Sequence, residues 1–185
     1  MIKGENQHVN VIVRGLIFEE DELVLTEWKS KKWAFLIGGR IDFGESLLTA
    51  LHREIMEETG ANVTVDKLIY FSENIFTHAD GRQFHEYGYY FLVHPDRIIL
   101  PDGVAIPNPD SDDLIIRRAA ITAEGLANVW PDFLKEYLPR DYADNFEGCP
   151  HFLYSRDDEE GVVESQVLAA AFGVTSEIDQ GFMLP

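Results

Sequence analysis

Residues 39–61 constrain this chain more than any other stretch. They read Gly-Arg-Ile-Asp-Phe-Gly-Glu-Ser-Leu-Leu-Thr-Ala-Leu-His-Arg-Glu-Ile-Met-Glu-Glu-Thr-Gly-Ala. Ser46 is a good N-cap and Gly60 a good C-terminal stop, which predicts a helix over Leu47–Thr59. At about 100° per residue, Glu54, Glu57 and Glu58 share an arc of roughly 100°, and Leu48, Leu51 and Ile55 an adjoining arc that would pack on a sheet. The acids fall in the last turn, at the negative end of the helix dipole, with no Lys to relieve them. A helix selected for stability alone would not carry them there. A hard divalent cation removes the conflict, because Mg²⁺ accepts carboxylates while keeping waters and phosphate oxygens. Arg53 and Glu57 are four residues apart, so Arg53 is placed to hold one carboxylate. For three acids alone, a solvated acidic face is the commoner explanation. It leaves unexplained the Gly38-Gly39 pair, Gly44-Glu45, the Arg53-Glu54 pair and Gly60.

The rest of the composition narrows the setting. The chain has 185 residues, 33 acidic against 15 basic, for a net charge of −18. At 45% hydrophobic and 12% aromatic it is rich enough in apolar side chains to fold. The charge counts against binding a nucleic-acid polymer or an anionic membrane surface. One cysteine, Cys149, excludes an intrachain disulfide, and it reads as a buried apolar side chain. With no apolar run of membrane-spanning length and no signal-peptide core at the start, a cytoplasmic protein is expected. Half of the net charge falls within residues 141–185. The expected division is therefore a domain over 1–140 and an acidic C-terminal extension over 141–185, which would pack on the domain or at a dimer interface.

Elsewhere the patterning is mainly of strands. Val9–Phe18 and Leu23–Trp28 flank the polar turn Glu19-Glu20-Asp21 and predict a hairpin. Trp33–Ile37, Val63–Val65, Leu68–Phe71, Phe84–His94 and Leu114–Ala119 predict further strands, with Pro101–Asp113 a loop. Pro131 suits the first position of a helix through Leu138. Val162–Phe172 is long and apolar enough for a docked helix. Strands with a few helices outside strict alternation indicate an α/β (α+β) fold.

The segment 39–61 resembles the Nudix box, G-x5-E-x7-R-E-U-x-E-E-x-G-U, where U is bulky and aliphatic. Gly39, Glu45, Arg53, Glu54, Glu57, Glu58 and Gly60 all match in spacing, and Ile55 fills the first U. Ala61 is smaller than the usual last residue, and Ile37 stands where many relatives have proline. The resemblance extends over residues 8 to about 140 through Trp33, the strand His85–Val93 and Pro131–Leu138. It implies a Nudix α/β/α sandwich with a mixed β-sheet and a loop–helix–loop box. It also implies Mg²⁺-dependent hydrolysis, with Mn²⁺ as alternative ion, of a pyrophosphate linkage in a nucleoside diphosphate joined to another moiety. The substrate would be a small nucleotide-like molecule, and a homodimer is an open expectation. The metal ligands would be Glu54, Glu57, Glu58 and the Gly38 carbonyl, with Glu45 and Arg53 as supports. The general base is not specified by the box. A Nudix-fold binding or regulatory module without turnover is the alternative, against which the intact box argues.

Outside the box the candidates keep two readings each. Glu86 is either an added acid of the site or a solvent-facing edge residue. Asp112 and Asp113 are either a catalytic acid on a late loop or a solvated turn. Trp28, Trp33, Phe76, Tyr87 and Tyr89 either stack a base or belong to the core. His85 either binds phosphate or closes a network. Arg82, Arg117 and Arg118 are candidate phosphate contacts.

Overall fold

The computed structural model describes residues 6–157 and the strand at 163–167. Its framework is a mixed sheet in the order β10-β9-β5-β6-β1-β4-β3-β8-β7. The strands are β1 (Gln7–Leu16), β2 (Phe18–Glu19), β3 (Glu22–Trp28), β4 (Trp33–Arg40), β5 (Val63–Thr77), β6 (Gln83–Pro95), β7 (Ile106–Pro107), β8 (Leu114–Ala120), β9 (His151–Asp157) and β10 (Val163–Val167). β1 lies parallel to β6 and antiparallel to β4, and β9 lies parallel to β5. The remaining pairs are antiparallel.

Two helices, α1 (Leu47–Thr59) and α2 (Phe133–Ala143), cover opposite faces of this sheet. The period-two alternation of the strands sorts side chains between them. Val13, Val24, Ile37 and Val93 pack with Ala50, Leu51 and Ile55 of α1. Leu16, Leu25, Leu36 and Tyr90 pack with Leu134 and Leu138 of α2. This is the expected α/β/α sandwich. Among the described residues no helix is long and apolar enough to cross a membrane.

Several local expectations change. β1 does not form a hairpin with β3: it ends at Leu16, its partners are β4 and β6, and only the two-residue β2 folds back on β3. The turn between β2 and β3 sits at Glu20 and Asp21, both with positive φ. The two short strands expected at Val63–Val65 and Leu68–Phe71 are one strand, β5, with register shifts between Val65 and Lys67 and between Leu68 and Tyr70. α2 begins two residues after Pro131 and continues through Pro139 to Ala143. Residue 140, where a domain boundary was expected, therefore lies within α2, and β9 beyond it joins the sheet. Within the apolar stretch Val162–Phe172, the described residues 163–167 form β10 rather than a helix; the rest lies outside the described residues.

α1 itself is capped as its sequence predicts. Ser46 Oγ accepts from the Thr49 amide at 3.2 Å, and Gly60, at φ 69°, donates its amide to Met56 O at 2.9 Å. Its buried stripe is rotated from the expected one: Ala50, Leu51 and Ile55 are buried with Glu58, while Leu48 is 47% exposed. Leu51→Ala should therefore cost about 2–5 kcal/mol of stability and Leu48→Ala within about 0.5 kcal/mol, read from urea unfolding midpoints. Equal losses would mean the helix face is assigned wrongly.

Candidate active site

The end of β4, the loop that follows it and α1 bring the box residues together. Arg53 organises them. Its Nε and Nη2 grip the two oxygens of Glu45 at 3.0 and 2.9 Å, and Nη1 reaches Glu54 at 2.8 Å and Glu57 at 3.1 Å. Nη2 also donates to the Arg40 carbonyl at 3.2 Å. The planar fork of guanidinium suits this multidentate task, which an ammonium cannot copy. The bonds to Glu45 and then Glu54 raise the Arg53 pKa further above its ordinary value, and the Arg53 bonds draw Glu45 down. The loop carrying Glu45 is thereby fastened to the helix, and Glu54 and Glu57 are aimed from one turn.

Glu58 occupies a different environment. It is buried, with Gly38 N donating to Oε1 at 2.8 Å and Thr26 Oγ1 and Asn108 Nδ2 donating to Oε2 at 2.7 and 2.6 Å. Burial pushes its pKa up, and these neutral donors offset the rise only in part. It sits behind the Gly38-Gly39 pair. Gly38 has φ +129°, and a Cβ there would collide with the Val13 carbonyl; a Cβ on Gly39 would collide with the Glu54 carboxylate. Gly38 is therefore required for the strand end to lie against β1, and a side chain at Gly39 would displace the Glu54 carboxylate. The Gly38 carbonyl accepts from Arg14 Nη1, which also bonds Leu36 O at 3.0 Å.

Arg14 opens onto a cleft. The inner part, about 200 Å³, is lined by Arg14, Phe35, Phe76, Glu86, Tyr90 and Trp130. Phe35, Phe76 and Trp130 also line a larger outer part of about 680 Å³, together with Trp28, Trp33, Lys31, Lys32 and Lys135. All three tryptophans of the chain line the outer part. Trp33 and Trp130 are 56% and 46% exposed, so they are not core residues. Lys31 Nζ rests 3.4 Å from the Trp28 ring centroid. In a chain of net charge −18, this lysine-rimmed aromatic wall is a local reversal.

Other candidates are distributed unevenly. Glu86 faces the inner cleft, 3.4 Å from Asn10 Nδ2. Its neighbours His85 and Tyr87 do not line it: His85 Nε2 is 2.6 Å from Glu73, and Tyr87 stacks on Phe71. Alternation along β6 separates them from Glu86. Arg82 is tied to Asp80 at the turn between β5 and β6. Asp113 accepts from Ser30 N and Oγ at 3.1 and 2.5 Å, which draws its pKa down, and the Asp112 carbonyl accepts from Lys29. Those two acids pin the loop after β3. Arg117 pairs with Glu27, and Arg118 with Glu19 and Glu20. Sequence reasoning missed Arg14, Thr26, Asn108 and Trp130. Trp130-Pro131 was the one signal among them, since a tryptophan directly before a proline marks an element end rather than a core strand.

Comparison with known proteins agrees with this fold. Residues 7–137 match the NUDIX domain family. No curated protein matches the chain. In fold it is similar to the mutator MutT protein from Bacillus halodurans, with a TM-score of 0.61 at 13% identity, covering 88% of this chain and 99% of that one. It is also similar to a NUDIX hydrolase from Nitrosomonas europaea, with a TM-score of 0.56 at 17% identity, covering 80% and 77%. With the family match spanning most of its length and every charged position of the box in place, the chain belongs to the NUDIX family.

Proposed function

We propose that the chain hydrolyses a pyrophosphate linkage in a nucleoside diphosphate joined to another moiety, with Mg²⁺ as its ion and Mn²⁺ as the alternative. The observation that carries this reading is the Arg53 fork, which holds Glu54 and Glu57 on one helical turn, together with Arg14, which joins the Gly38 carbonyl to an aromatic-lined cleft. The donor set of Glu54, Glu57, Glu58 and the Gly38 carbonyl is all hard oxygen, which fits Mg²⁺. When bound, the ion would neutralise charge on the diphosphate and acidify a water. Glu45 and Arg53 position the glutamates. Arg14, the cation at the junction of the Gly38 carbonyl and the inner cleft, is assigned to a phosphate oxygen. Glu86, the acid facing the same space, is the candidate base. The outer cleft receives the aromatic base between Trp33, Phe76 and Trp130, and its lysines favour a substrate carrying further anionic groups at that end.

Incubation with Mg²⁺ and nucleoside triphosphates, dinucleoside polyphosphates, nucleotide sugars and ADP-ribose should release monophosphate or pyrophosphate from at least one class. Glu54→Gln and Glu57→Gln should reduce that release to background. Binding without release across the panel would favour the non-hydrolytic alternative. Arg53→Lys keeps the charge but not the fork, and should cost about 10–100-fold in activity.

Trp33→Ala and Trp130→Ala should raise KM with kcat held. Loss of about 1–3 kcal/mol of stacking corresponds to roughly 5- to 150-fold. Unchanged KM in both would remove the base from this cleft.

Glu58 gives a pH signature. Its raised pKa in the folded state means that its contribution to stability is complete below the free-glutamate range and is lost as pH rises through the folded value. In chelator-treated protein, Tm should fall over that window, the fall should be smaller in Glu58→Gln, and Mg²⁺ should restore Tm above it. Parallel Tm curves for the two proteins would show that Glu58 does not resist ionisation.

A further inference from the structure

A second cluster of metal-ligating side chains lies outside the box, where the end of α2 meets the start of β9. Asp141, Cys149 and His151 each present one donor atom, and the three atoms lie within 4.8 Å of one another. The Asp141 side chain is only 3% exposed. Tyr70 donates its hydroxyl to Oδ2 at 2.8 Å, and Arg140 donates Nε and Nη2 to Oδ1 at 3.1 and 3.0 Å. His151 Nε2 stands 3.2 Å from both carboxylate oxygens, its ring stacked against Tyr70 with centroids 6.0 Å apart.

We propose that Asp141, Cys149 and His151 form a second metal site, selective for a borderline-soft divalent cation such as Zn²⁺, with a fourth position open to water. Sulfur, imidazole nitrogen and one carboxylate oxygen are a zinc-type donor set, in contrast to the all-oxygen set of the box. Zinc–ligand bonds of about 2.0–2.3 Å in a tetrahedron put donors roughly 3.3–3.8 Å apart, so side-chain rotation closes the observed spacing. Tyr70 remains on Oδ2 as the outer partner that orients the carboxylate, leaving Oδ1 for the ion. Arg140 is the group that must leave. Its side chain is 57% exposed, so its charge passes into water at little cost. The cation would take over the counter-charge that Arg140 now supplies. Burial and then the Asp141 charge push the Cys149 thiol up to about 11, so it coordinates as a thiolate only once the metal is bound. Loaded, the site ties α2 to β9 and secures the strand that extends the sheet beyond β5.

Co²⁺ titration of the full, chelator-stripped chain tests this directly. Cys149 is the single cysteine, so a thiolate-to-cobalt charge-transfer band reports this site and not the box carboxylates. The expected result is such a band saturating at one Co²⁺ per chain, displaced by Zn²⁺ but not by Mg²⁺. Cys149→Ser should abolish it, and His151→Ala should weaken Co²⁺ binding by more than about tenfold. Arg140→Ala should tighten it by removing the competing cation. Each variant is checked for folding by circular dichroism, and His151, at 20% side-chain exposure, is a milder change than the buried Asp141. The absence of a thiolate band in the folded wild type at millimolar Co²⁺ would overturn the proposal. So would a band of unchanged affinity in folded His151→Ala, because it would then belong to Cys149 alone.

Discussion

The Arg53 guanidinium is the interaction on which the site depends. α1 ends in acids, has no base in its last turn, and presents those acids to the negative end of its own dipole. Left alone, Glu54 and Glu57 would repel each other and the loop carrying Glu45 would be free of the helix. One side chain meets all three carboxylates and the Arg40 carbonyl, so repulsion is converted into a fixed spacing. The apolar face of α1 supplies the anchor: Leu51 and Ile55 are fully buried, so the helix cannot rotate to relieve the strain among its acids.

The glutamates are not equivalent. Glu57 is half exposed, Glu54 is largely enclosed by Arg53 and Gly39, and Glu58 is buried among neutral donors. A buried carboxylate held by Thr26, Asn108 and the Gly38 amide carries its charge at a cost, which a nearby divalent cation would offset. Arg14, whose guanidinium bonds the Gly38 carbonyl, is a positive charge that partly offsets the effect of burial on Glu58. The two parts of the cleft differ in kind, with Arg14 and Glu86 in the inner part and aromatics with lysines in the outer part.

Much of this was legible in the sequence, and the reasons for the exceptions are physical. The limits of α1, its capping by Ser46 and Gly60, and the grouping of Glu45, Arg53, Glu54 and Glu57 follow from local spacing, because a helix converts sequence separation directly into distance. Most strands up to residue 120 were also readable, whereas β7, β9, β10 and the strand partners were not. β1 resembles half of a hairpin, yet it pairs with β4 and β6 because its two apolar faces need cover from both helices. Trp28 and Trp33 carried a core reading as reasonable as a binding one. The exposure of Trp33 and its place beside Trp130 in the cleft lining separate those readings.

By itself, the sequence determined the helix, the spacing of its acids and the family, since each rests on residues within one local segment. The tertiary structure decided that Arg14, Thr26 and Asn108 join that segment, that Trp130 and Glu86, rather than His85 or Tyr87, line the cleft, and that Arg82 does not reach it. It also decided that α2 runs through to Ala143 and that β9 beyond it pairs with β5. Those outcomes depend on sheet order and side-chain alternation between strands far apart in the chain, which no local spacing encodes.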